Sequence, residues 1–146
     1  MVGAMSAHAP RRADHALYIA AIRCAVEARD VRVADVQVGT SPEGRREAVL
    51  NLRPDSEAFA ERVPEVASAS WDEDNGWSML VRDGSLASRV HKGLSVLPDP
   101  EDMAAWVVVA LAHPELTPSY EDHPFRDHEV ADPEFEDQLA RYTAGL

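Results

Sequence analysis

Between Ala13 and Arg29, apolar residues return every three or four positions. Leu17, Ala21, Cys24 and Ala28 mark one face, Ile22 and Val26 widen it, and the spacing predicts a first helix with Asp14 placed to cap it. The pattern then changes period. Arg32 to Val38 is rich in β-branched residues and ends at the turn sequence "GTSPEGR", which predicts a strand. In "REAVLNLR", Arg46 to Arg53, alternation puts Ala48, Leu50 and Leu52 on one side of a second strand. Asp55 or Ser56 then caps a short helix running to about Arg62, stopped by Pro64.

The stretch "SASWDEDNGWSML", Ser68 to Leu80, predicts a hairpin, and two registers compete. A two-residue Asn75-Gly76 turn pairs polar with apolar side chains. A five-residue loop, Asp72 to Gly76, sets Trp71 opposite Trp77, Ala69 opposite Met79 and Ala67 opposite Val81 on one apolar face. Burial fixes register more firmly than turn preference, so the longer loop is expected, with Gly76 at positive φ. "RDG", Arg82 to Gly84, turns the chain into a further strand, "SLASRVH", and "LSVLP" is expected to add a short edge strand.

From Asp99 to His113 the chain is apolar on nearly every side. Asp99 caps this second long helix, Pro100 takes its first position, Glu101 and Asp102 suit the positive end of the dipole, and Pro114 stops it. Met103, Trp106, Val107 and Ala110 form one side; Ala105, Val108, Val109 and Ala112 form another. A surface helix needs only one such stripe, so a second surface is expected to cover the other. The remaining tail is acidic, with nine acids and two arginines from Pro114 onward, yet Tyr120, Phe125, Val130, Phe135, Leu139 and Tyr142 interrupt it. Asp132-Pro133 opens a last helix with Phe135, Leu139 and Tyr142 on one side. The fold class is therefore α+β: an antiparallel sheet of about four to five strands against two long helices, with an acidic extension ending in a short helix. The expected division is a flexible segment 1–12, one domain over 13–116 and the extension over 117–146.

Charge narrows the partners. With 26 acidic and 14 basic side chains the net charge is −12, and no basic run exceeds the doublets Arg11-Arg12 and Arg45-Arg46. Nucleic acid would be repelled; a basic protein would not. The longest apolar run, Met103 to Ala112, is too short to span a bilayer, and the first residues lack the pattern of a secretory leader. A single cysteine, Cys24, suits a reducing cytoplasm.

Candidate chemistry is sparse. The "DEDNG" loop is far shorter than a calcium loop and reads as a solvated hairpin tip. His123 and His128 stand near Asp122, Asp127 and Glu129, a set that can ligate zinc, but HExxH and paired-cysteine spacings are absent. Cys24 reads as a buried small hydrophobe. No phosphate loop or GxSxG elbow occurs. No catalytic residue, metal or cofactor is assigned. An aromatic ligand pocket would draw on Trp71, Trp77, Met79 and Trp106, with His91 and Tyr120 as nearby polar groups.

"HALYIAAIRCAVEARDV", "SWDEDNGW" and "LPDPEDMAAWVVVALAHPE" together resemble a family of small uncharacterised actinobacterial proteins. The likeness covers Ala13 to Glu115 and centres on the Trp71–Trp77 hairpin and the Leu97-Pro98-Asp99-Pro100 entry to the Trp106 helix. It implies no activity and no catalytic residues. The expected function is that of a cytoplasmic accessory or regulatory protein acting by protein–protein binding. Its contacts would come from Met103, Trp106, Val107, Val108, Val109, Phe125, Phe135 and Leu139. A homodimer is expected, and a basic protein is a further candidate partner. The alternatives are the aromatic-pocket ligand or catalytic domain and an acidic nucleic-acid mimic.

Overall fold

The computed structural model describes residues 13–53, 64, 66–114, 117, 119 and 124–144. Helix α1 spans Ala16–Glu27 and buries Tyr18, Ile19, Ile22, Ala25 and Val26. Ile22 and Val26 are buried as expected, but the face is rotated away from Leu17, Ala21, Cys24 and Ala28, and Cys24 is exposed rather than buried. Area explains the choice. Tyr18 and Ile19 beside Ile22 and Val26 remove more apolar surface from water than Leu17, two alanines and a cysteine would.

Strands β1 (Val33–Thr40), β2 (Arg46–Leu52), β3 (Val66–Asp72), β4 (Gly76–Asp83) and β5 (Leu86–His91) form one antiparallel sheet in sequence order. The expected short helix near residues 56–62 lies outside the described residues. The β3–β4 hairpin adopts the five-residue loop: Trp71 faces Trp77, Ala69 faces Met79, Ala67 faces Val81, and Gly76 has φ 78°. Across the sheet, Val36, Leu50, Ala69, Met79 and Val90 form one continuous inward row. Ala48, Trp71 and Trp77 form the next.

"LSVLP" is not a strand. Its carbonyls serve the core instead: Val96 accepts from Trp71 Nε1 at 2.8 Å, and Pro98 accepts from the Tyr18 hydroxyl at 3.1 Å. That hydroxyl also accepts from Trp77 Nε1 at 3.0 Å, so each indole N–H is satisfied. Burial pushes the Tyr18 hydroxyl well above its ordinary pKa.

Helix α2, Pro100–Ala112, begins as expected, with the Asp99 carboxylate accepting from Glu101 N at 3.1 Å. It packs chiefly on α1 and also touches β4. Helix α3, Pro133–Ala144, begins at Asp132, whose Oδ1 accepts from Phe135 N, and packs on α1. Phe135 and Leu139 are buried in the common core, and the Tyr142 ring meets Tyr18 edge-on at 4.9 Å. The helices thus cover one face of the sheet. Its other face carries Ser68, Ser70, Ser78, Leu80, Arg89 and His91, an open face of the kind antiparallel sheets tolerate.

Candidate functional site

The hairpin tip is built by Asp72, whose Oδ1 accepts from the backbone N–H groups of Asp74 and Asn75 at 2.9 and 2.8 Å. This turn sends Glu73 and Asp74 inward. Both are buried, which corrects the expectation of a solvated loop. The cause is two arginines. Arg46 donates from Nε and Nη2 to the two Glu73 oxygens, at 3.2 and 3.0 Å, and its backbone N–H also donates to Glu73. The same guanidinium donates to both Glu136 oxygens and, at 2.6 Å, to the Ala13 carbonyl. Arg126 donates to Glu73 Oε1 at 2.7 Å and to Asp132 at 3.1 Å. The Phe135 ring lies against both guanidiniums, 3.9 Å from Arg126 and 5.3 Å from Arg46.

This network ties the start of α1, β2, the hairpin tip, the tail and α3 together. Burial would raise the Glu73 pKa, but the Arg46 and Arg126 hydrogen bonds outweigh burial and hold it at about 2. Beside it, His128 Nδ1 lies 2.7 Å from Asp74 Oδ2, and Nε2 lies 3.2 Å from the Glu43 carbonyl. The hydrogen bond with Asp74 raises the His128 pKa above its ordinary value. Asp127 completes a three-residue cluster with Asp74 and His128, its ligand atoms within 4.8 Å of one another.

The residues singled out by sequence separate into four places. Trp71, Trp77 and Met79 are buried in the core with Met103, Val107, Phe135 and Leu139. Trp106 and Val108 are half-buried on the outer side of α2, where Val109 is 51% exposed. Phe125 leans on the hairpin tip: its backbone N–H donates to Asp74 O at 2.7 Å, and its ring lies close to Gly76. His91 sits on the open sheet face, in a concavity of about 520 Å³ shared with Gln37, Ser70, Asp72, Asn75 and Ser78. Tyr120, Asp122 and His123 lie outside the described residues. His113 forms the C-cap of α2.

Sequence reasoning missed Arg46 and Arg126. The signal for Arg46 was parity, since residues 46, 48, 50 and 52 share one face of β2 and the last three are apolar. Glu73 follows Trp71 by two and shares its inward direction.

The fold and this clasp define a small α+β protein in which a buried charged network joins the hairpin tip to the chain's own tail. The chain belongs to a family of unknown function, DUF6292, whose model matches residues 18–109. No curated protein and no solved structure matches the chain. Among the described residues, no helix is long and apolar enough to cross a membrane.

Proposed function

We propose that the chain is a non-catalytic binding protein, an accessory or regulatory factor in an actinobacterial cytoplasm, which contacts its partner through the outer side of α2. The carrying observation is Val109, exposed in mid-helix between half-buried Trp106 and Val108. An apolar strip left in water at the centre of a 13-residue helix is a surface that association would cover. Glu101 and Asp102 border it at the helix start, already paired with Arg29 at 3.7 Å and Lys92 at 2.8 Å, so the case for a partner with basic side chains around an apolar centre rests on the chain's net charge of −12. A second copy fits the apolar strip equally, but two chains of −12 repel, and that assembly would strengthen with salt.

Light scattering at several salt and protein concentrations tests the homodimer, and affinity capture from the native cell tests the basic partner. Val109→Glu should abolish either association while leaving the melting temperature unchanged. Equal association by the wild type and Val109→Glu would remove α2 from the interface.

A second reading draws on the open sheet face. The concavity around Ser70, Ser78 and His91 supports a small polar ligand, on the side of the sheet opposite the Trp71 and Trp77 rings. Line broadening of these residues' amides during a fragment titration, lost in His91→Ala, would favour it. The acidic-mimic reading has less support, because Asp132 and Glu136 are engaged by Arg126 and Arg46.

A further inference from the structure

The geometry points to a divalent transition-metal site, of the zinc class, formed by Asp74, Asp127 and His128 where the tail crosses the hairpin tip. Three observations carry it beyond the proximity of two acids. The first is the histidine tautomer. His128 Nε2 faces the Glu43 carbonyl at 3.2 Å, and a carbonyl only accepts, so Nε2 holds the hydrogen. In the neutral ring Nδ1 is then a lone pair, and it faces Asp74 Oδ2 at 2.7 Å. A proton on Nδ1 closes that contact as a hydrogen bond in the metal-free chain, and a metal ion would take the proton's place on the same lone pair. A backbone carbonyl orienting the far ring nitrogen is the arrangement that metal-binding histidines use.

The second observation is Asp74 itself. It is only 7% exposed, its Oδ2 is turned to His128, and its buried Oδ1 has no hydrogen-bond partner among the described residues. The nearest cation, Arg126 Nη1, stands 3.6 Å from that oxygen, beyond hydrogen-bond reach, and already serves Glu73 and its carbonyl. A buried carboxylate oxygen left unsatisfied is costly, and a metal ion bound by both Asp74 oxygens would use it.

The third is access and spacing. Asp127 is 62% exposed at its side chain and its Oδ1 lies 4.0 Å from His128 Nδ1, so the site has an open side toward solvent. Four-coordinate zinc with bonds near 2.1 Å separates its ligands by roughly 3.4 Å. The 2.7 and 4.0 Å separations bracket that value.

Two carboxylates neutralise a dication, and one imidazole with oxygen ligands favours zinc or manganese over calcium or copper(I). The ion would join Asp74 of the hairpin to Asp127 and His128 of the tail, making attachment of the tail metal-dependent.

The test uses the full chain, stripped with chelator and titrated with zinc chloride by calorimetry and thermal melting. One zinc per chain should bind saturably, and a hundredfold excess over the dissociation constant should raise the melting temperature by roughly 10 °C. Asp127→Asn, an exposed change that spares the fold, and His128→Gln should each weaken binding at least about tenfold. His91→Gln, on the open sheet face, should not. Cobalt(II) substitution should give a tetrahedral visible spectrum in the wild type that Asp127→Asn lacks. The absence of saturable binding in the stripped wild type would overturn the site. So would undiminished affinity in both Asp127→Asn and His128→Gln.

Discussion

Burial alone would raise the Glu73 carboxyl, yet hydrogen bonds from the Arg46 side chain and backbone and from Arg126 hold it at about 2. A carboxyl depressed in the fold stabilises the protein fully above its unfolded pKa, near 4.5. That contribution, roughly 3 kcal/mol, is lost as pH falls from about 5 toward 2. Urea midpoints measured across this window should drop steeply, and Glu73→Gln should flatten the drop. At neutral pH the same substitution leaves two buried guanidiniums without their shared counterion. It should cost about 1.5–3 kcal/mol in urea unfolding, because Glu136 and Asp132 still pair the two arginines. Unchanged stability in Glu73→Gln would mean that the clasp does not hold the tail. The sequence carried half of this site. Arg46 was legible by its place in the β2 alternation. Arg126 was not, because nothing local in an acidic tail says which arginine folds back over a hairpin tip.

Elements were read best where burial and turn chemistry agreed. The β3–β4 register followed from pairing Trp71 with Trp77, and α2 from its Asp99-Pro100 start. The α1 face was misplaced because periodicity alone gave alanines the same weight as Tyr18 and Ile19. "LSVLP" looked like a strand, but Tyr18 and Trp71 compete for its carbonyls. The hairpin glycines give a comparison. Gly76 and Gly84 both sit at positive φ, 78° and 63°. An added Cβ at Gly76 would meet the Phe125 ring at 3.2 Å and the Ser95 carbonyl at 3.3 Å, while at Gly84 it would meet nothing within 4 Å among the described residues. Gly84→Ala should therefore cost only backbone strain, about 1 kcal/mol, whereas Gly76→Ala should cost at least twice that. Equal melting temperatures for the two variants would mean that Phe125 does not rest on the tip.

At the scale of the whole chain, the tail raises a conflict between charge and burial. Residues 124–146 hold six acids and two arginines, a net of −4, so removing them takes the chain from −12 to −8. Less self-repulsion favours folding, but exposed charges screened at physiological salt contribute under about 1 kcal/mol. The same cut strips Phe135 and Leu139 from the core, each worth about 1.5–3 kcal/mol, and takes Glu136 from Arg46 and Arg126 from Glu73. Burial outweighs charge. A chain ending at residue 123 should melt well below the full chain and should bind a hydrophobic dye. Added salt should not restore it, because the lost contacts are apolar and buried. The family match ends at residue 109, ahead of α3, so the core of this chain is completed by a segment outside the matched region. If the shortened chain instead melted at the full-length temperature, α3 would be an attachment to a finished domain, and its buried face would be free for a partner.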